Sequence, residues 1–120
     1  MVKYLLDTNF LMYCVKEKID FLEELGKGNI IIPMGVILEL EGIKREGSVR
    51  DKDVADIVLK MIADIRKINL GDGHVDNLII NFAKNNDVIV GTMDKTLQKR
   101  IKKNGIRILE IVGRKKLRIE

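Results

Sequence analysis

Two carboxylates in this chain stand just after apolar runs that read as buried strands. Asp7 directly follows Leu5 and Leu6, and Asp94 follows the run from Val88 to Val90 after a short Gly-Thr-Met segment. In an open parallel sheet the carboxyl ends of the strands meet at one edge, where ligands bind. Two carboxylates at one edge repel each other unless a cation or a proton lies between them. The pair therefore indicates a site that binds a cation or shares a proton.

Other acidic residues lie on predicted helices, and periodicity alone does not select among them. Asp76 falls in the first turn of one helix, and Asp72 is a competitor four residues earlier. Glu39 and Glu41 lie at similar angles from the apolar side of another helix. Taken singly, each acid has a structural explanation. A carboxylate at a strand end can cap the next helix or start a turn. A carboxylate in the first turn of a helix is stabilised by the helix dipole.

The elements that must position these residues alternate along the chain. Apolar runs bounded by turn residues predict four strands and a weak C-terminal edge strand, at residues 3–6, 30–32, 88–90, 107–111 and 117–119. Apolar residues three and four apart predict five helices, at residues 19–25, 36–44, 51–68, 75–84 and 95–103. A short segment over 10–13 follows Asp7. Strands alternating with helices favour an α/β fold with a central parallel sheet of four to five strands flanked by helices.

Composition restricts the class of protein. The 120 residues are 46% apolar and 33% charged, which fits one folded domain over residues 1–120. Cys14 is the sole cysteine and His74 the sole histidine, so neither an intramolecular disulfide nor a closed zinc site is expected. Apolar stretches are too short for a membrane span or a signal peptide. We therefore expect a cytoplasmic protein.

Charge is distributed unevenly along the chain. Residues 1–94 carry 12 basic and 16 acidic side chains, whereas residues 95–120 carry 10 and 2. The basic segment suggests contact with a polyanion, because Lys and Arg that neutralise phosphates release counterions. A solvated helix face and tail would explain the charge equally well. The candidate phosphate contacts are Lys99, Arg100, Lys102, Lys103 and the tail from Arg114 to Arg118.

Four short motifs carry the acidic residues in a fixed order. They are Leu-Leu-Asp-Thr-Asn at 5–9, Val-Ile-Leu-Glu-Leu at 36–40, Val-Asp-Asn-Leu-Ile at 75–79 and Thr-Met-Asp-Lys at 92–95. Together they resemble the PIN-domain family, in particular compact archaeal PIN proteins related to VapC-type toxins and to PIN nucleases of ribosomal-RNA maturation. The resemblance implies a single three-layer domain and a metal-dependent endoribonuclease acting on RNA. It also implies a homodimer and an antitoxin or ribosome-maturation partner.

Carried over residue by residue, the resemblance implies one acidic quartet with both catalytic and metal-binding roles. Its members are Asp7, Glu39, Asp76 and Asp94, with Thr8, Asn9 and Thr92 as supporting polar residues. Asn77 is a departure, because relatives often have a second acidic residue there. Oxygen ligands suit Mg²⁺ or Mn²⁺. Such ions activate water and stabilise charge on the scissile phosphate.

Two other functions stay open. A PIN-fold RNA-binding or assembly module with little or no catalysis is one, although such a module would not need all four acids. A phosphatase or phospho-receiver is the other, because an apolar strand followed by Asp-Thr-Asn also begins some phosphotransfer sites. That chemistry calls for a Lys after a later strand. Lys95 is present, but it directly follows Asp94, which the PIN pattern already uses.

Overall fold

A mostly parallel sheet forms the middle layer of the molecule. In the computed structural model, which describes residues 2–120, the strands are β1 (Lys3–Leu6), β2 (Ile30–Pro33), β3 (Arg66–Ile68), β4 (Val88–Gly91), β5 (Ile108–Val112) and β6 (Lys116–Ile119). They lie in the order β3-β2-β1-β4-β5-β6. Strands β1 to β5 are parallel, and β6 pairs with β5 in the antiparallel direction. Every residue of β2 and β4 is buried, as expected where helices cover both faces.

Within residues 2–120, six α-helices form the two outer layers. They are α1 (Thr8–Lys16), α2 (Phe21–Leu25), α3 (Met34–Glu46), α4 (Val49–Met61), α5 (Val75–Asn86) and α6 (Lys95–Lys103). Alternate strand residues point to opposite faces. Leu6 and Ile32 therefore pack with α1 to α4 in one core, whereas Leu5 and Ile31 pack with α5 and α6 in the other. The predicted α/β class with three layers is confirmed.

The helix predicted over 51–68 was wrong over its last seven residues. Helix α4 ends at Met61, and the chain then forms β3, which was not predicted. The apolar spacing continued because Ile62 and Ile65 are still buried in the same core from non-helical positions. Strand β3 has no apolar run of its own. It forms by pairing its backbone with β2, Ile31 to Arg66 and Pro33 to Ile68.

The length of helix α1 was also underestimated. A short segment was expected over 10–13, whereas the helix spans Thr8–Lys16 and buries Phe10, Leu11 and Cys14. The expected edge strand at the C-terminus is present as β6. The sheet has six strands in place of four to five because β3 was not predicted. None of the helices within residues 2–120 combines the length and the apolarity needed to cross a bilayer.

Candidate active site

One cleft at the carboxyl edge of the sheet brings together the four predicted acids. Its volume is about 350 Å³, and it is lined by carboxylates from four separate segments: Asp7 after β1, Glu39 on α3, Asp76 on α5 and Asp94 after β4. The competing acids Glu41 and Asp72 do not line it. Helical phase left Glu39 and Glu41 equivalent, but the packing of α3 against α4 and β2 brings only Glu39 to the cleft.

Asp7 joins the ends of the two central strands. Its backbone N–H donates to the carbonyl of Gly91 at 3.1 Å, and its Oδ1 accepts from the N–H of Phe10 at 3.1 Å, which caps α1. Burial raises the pKa of the Asp7 carboxyl, hydrogen bonds from Thr92 and Phe10 oppose that rise, and the charges of Glu39 and Asp94 add to it. The ionised carboxylate is therefore held at a cost that a bound cation would relieve.

Asp94 is held by the loop between β4 and α6. Its Oδ1 accepts from the N–H of Leu97 at 3.1 Å, which caps α6, and its own N–H donates to Thr92 Oγ1 at 3.1 Å. Thr92 is fully buried, and its carbonyl accepts from Gln98 Nε2 at 2.7 Å. The loop therefore holds Asp94 directly, and Thr92 also lowers the pKa of the Asp7 carboxyl beside it.

Asp76 lies beside the guanidinium group of Arg100 on the neighbouring helix α6. Arg100 Nη1 lies 3.9 Å from Asp76 Oδ2, and Arg100 Nη2 donates to Asn77 Oδ1 at 2.6 Å. Within residues 2–120, this is the one ion pair made by any of the four acids. Asn77 does not line the cleft. The Asn77 amide therefore bonds to Arg100. Having Asn instead of an acidic residue at position 77 removes no carboxylate from the cleft.

Thr8 and Asn9 also line the cleft, as their place beside Asp7 predicts. Thr8 is 3% exposed, and its Oγ1 is the one buried side-chain oxygen or nitrogen within residues 2–120 that has no hydrogen-bond partner. Buried polar atoms of this kind are usually satisfied by water or an ion. A water held between a cation and the cleft wall would satisfy it.

The donor set fits a hard divalent cation held partly through water. As they stand, no three His, Cys, Asp or Glu side chains in the part of the chain described by the structure lie close enough to hold one ion directly. Mg²⁺ commonly keeps several waters and binds one or two carboxylates directly. A cleft with four carboxylates, no Cys or His and an unpartnered buried hydroxyl suits that mode of binding.

The basic residues of α6 are not equivalent. Lys102 forms an ion pair with Glu120 at 3.1 Å, and Arg100 is engaged by Asp76 and Asn77. Lys99 and Lys103 are exposed and make no ion pair within residues 2–120. In the tail, Arg114 pairs with Glu17 at 3.2 Å, and Arg118 pairs with Glu110 and Glu120. Only part of the predicted basic segment is therefore free to meet a phosphate.

The cleft also has an apolar end that sequence reasoning missed. Met34, Leu70, Val75 and Leu78 line it, together with Asn69. Residues 69 and 70 follow β3, and they were missed because that strand was predicted as helix. Met34 follows the predicted strand at 30–32, so the sequence pattern could have placed it at the same sheet edge as Asp7.

Comparisons with known proteins give one consistent result. The model of a family described as a PIN-like domain matches residues 4–114. Ribonuclease VapC4 of Methanocaldococcus jannaschii is 32% identical over 124 residues, covering 97% of this chain and 94% of that protein.

Two solved structures share the fold. One is a chain from the crystal structure of DNA-bound VapBC from Salmonella typhimurium, with a TM-score of 0.67, 21% identity and coverage of 92% of this chain and 98% of that chain. The other is a domain of a functionally unknown protein from Methanocaldococcus jannaschii, with a TM-score of 0.62, 23% identity and coverage of 97% and 95%.

Proposed function

This chain belongs to the PIN-like domain family, and from that premise we propose that it is a divalent-metal-dependent endoribonuclease. The substrate is RNA, and the reaction is hydrolysis of a phosphodiester bond by water activated at Asp7, Glu39, Asp76 and Asp94. The observation that carries the proposal is that one cleft collects all four carboxylates while Glu41 and Asp72 lie outside it. The relative named a ribonuclease, which this chain matches over nearly its whole length, supports the same activity.

Mg²⁺ or Mn²⁺ is the proposed cofactor. When bound, such an ion lowers the pKa of a coordinated water and supplies positive charge at the scissile phosphate. Asp7 and Asp94 would hold it from the two central strand ends, and Glu39 and Asp76 would complete its surroundings from α3 and α5. Thr92 would support the site, because its hydroxyl accepts from the N–H of Asp94 and it lowers the pKa of Asp7. Thr8 and Asn9 line the wall, where they would orient water.

RNA would enter along α6, which begins at Asp94. Lys99 and Lys103 are the proposed backbone contacts, because both are exposed and unpaired in the described chain. Lys102 would contribute less, since its contact with Glu120 would first have to break. Arg100 would bind the phosphate nearest the acids, because it already lies beside Asp76. A cytoplasmic location, a homodimer and an antitoxin or ribosome-maturation partner remain predictions.

The second candidate function is a PIN-fold RNA-binding or assembly module with little or no catalysis. One observation favours it: no three metal-binding side chains converge closely enough in the described residues to hold an ion directly. The two candidates differ in a direct way. An enzyme requires the charge of the acids for turnover, whereas a binding module loses nothing from its RNA affinity when that charge is removed.

The test compares matched pairs of variants on single-stranded RNA with saturating Mg²⁺ or Mn²⁺. Glu39→Gln should reduce kcat by a factor of at least 100, whereas Glu41→Gln on the same helix should leave it unchanged. Asp7→Asn and Asp94→Asn should also abolish cleavage with the fold intact. Isothermal titration calorimetry measures ion binding by the same proteins. Full cleavage by the Glu39, Asp7 and Asp94 variants would reject the enzyme.

A further inference from the structure

The acidic cleft continues into an apolar wall on one side. Met34 and Val75 are 43% and 63% exposed, although both are large apolar residues, and both line the cleft. Leu70 and Leu78 extend the same wall. We propose that this apolar end is a nucleobase subsite, which takes the base of the nucleotide next to the scissile phosphate. The inference rests on the proposed ribonuclease function and names the part of the substrate that this end of the cleft binds.

The sheet order separates the two ends of the cleft. Met34 follows β2 and Leu70 follows β3, so these two members of the apolar wall lie on the β2–β3 side of Asp7, whereas Val75 and Leu78 reach the cleft from α5. Asp94 and the basic helix α6 follow β4, on the other side of Asp7. A strand of RNA that crosses the sheet edge would therefore have its phosphates towards α6 and the acids. Its next base would lie towards β2 and β3.

The size of the cleft supports a small planar occupant beside the ion. At about 30 Å³ for each water, a cation that binds two carboxylates and keeps about four waters would fill roughly a third of a cleft of about 350 Å³. The remainder is about the size of one ring system. Cavities of this size with apolar walls and a few polar groups are typical small-ligand sites.

Asn69 supplies a polar group at the same end. Its Oδ1 accepts from the N–H of Gly71 at 2.8 Å, which holds the amide plane. The amide nitrogen is then left to donate to an acceptor on a base edge. A base has both a flat apolar face and polar edges, so it matches this combination better than an aliphatic side chain does.

The experiment uses size-conserving substitutions that remove apolar character. In the intact chain, Met34→Gln combined with Val75→Thr should raise KM for single-stranded RNA by about five- to tenfold and leave kcat within twofold. Leu38→Gln is the matched control. Leu38 lies on the same helix as Met34 and is 70% exposed, but it does not line the cleft.

A second measurement changes the RNA and keeps the protein constant. An abasic nucleotide placed on either side of the cleavage position should raise KM for the wild type at one of the two positions. The double variant should show no such difference between intact and abasic RNA at that position. Equal KM for all RNAs with the wild type, or an unchanged KM in the double variant, would overturn the subsite.

These outcomes are separable from a failure of the proposed function. If the wild type cleaves no RNA with either metal, the ribonuclease proposal fails. If it cleaves but the variants and the abasic RNAs behave as the wild type does, only the subsite fails. Competition by an apolar peptide, with no effect of removing a base, would assign the wall to a protein partner and would also overturn the subsite.

Discussion

Removing two unpaired lysines of α6, Lys99 and Lys103, should change the salt dependence of RNA binding by a predictable amount. Lys99 and Lys103 lie four residues apart, on one face of the helix that begins at Asp94. Successive positions on that face are about 6 Å apart along the axis. Neither lysine has an ion-pair partner in the described chain, so both are free to meet phosphates.

The magnitude follows from the number of phosphates that the two lysines neutralise. On single-stranded nucleic acid the slope of log affinity against log salt falls by about 0.7 for each phosphate contact removed. Lys99→Gln with Lys103→Gln should therefore flatten the slope by up to ~1.4. Between 50 and 200 mM salt, that corresponds to a roughly sevenfold smaller loss of affinity. Lys102→Gln is the matched control, because Lys102 is already paired with Glu120 at 3.1 Å.

Fluorescence anisotropy of a labelled RNA, with divalent metal chelated to prevent cleavage, measures both slopes. We expect the double variant to lose slope and the Lys102 variant to retain nearly all of it. Because phosphate contacts formed equally before and during the reaction act on KM, kcat should change little in either protein. An unchanged slope in the double variant would refute the path along α6. The same loss in the control would show that ion pairing does not select the residues that bind phosphate.

Three further predictions concern stability and reactivity. In the metal-free protein, Asp7→Asn should raise the free energy of unfolding at neutral pH, because burial raises the pKa of the Asp7 carboxyl in the folded state above its ordinary 3.8. Denaturant melts measure this gain. It should shrink as the pH falls through the raised pKa and stay constant below about 3.8. Gly91→Ala should cost about 1–3 kcal/mol, since its Cβ would lie 2.6 Å from Leu6 Cδ2 and 3.4 Å from the Phe10 ring, both in the core; a wild-type melting curve would contradict this. Burial raises the pKa of Cys14 to about 12, so a thiol reagent at pH 8 should react with it only in denaturant, and rapid labelling of the native protein would disprove that.

The fold could be predicted from the sequence wherever a strand carries its own apolar run. The strands at 3–6, 30–32 and 88–90 were predicted within one residue, because each is buried by helices on both faces. Strand β3 could not be found this way. Arg66 is exposed, Lys67 is only half-buried, and Ile68 alone packs against the core, so the strand forms mainly by pairing its backbone with β2.

The candidate site shows the same division. Asp7 and Asp94 could be placed at one edge from the strand pattern alone. Glu39 could not be separated from Glu41 by helical phase, because that choice depends on how α3 packs against the sheet. The contact between Arg100 and Asp76 joins residues 24 positions apart on two helices. Such a contact depends on tertiary packing and leaves no periodic signal.

The structural and the functional explanations of the strand-end acids turn out to be compatible. Asp7 caps α1 and Asp94 caps α6, each through Oδ1 at 3.1 Å from a backbone N–H. The cap fixes the orientation of each carboxylate, and the helix N-terminus favours its negative charge. The helix does not use the second oxygen, Oδ2, so capping leaves that atom available to a ligand in the cleft. Asparagine retains the cap and removes the charge, whereas alanine removes both. Asp→Asn is therefore the substitution that separates the chemistry of the cleft from the stability of the helices that build it.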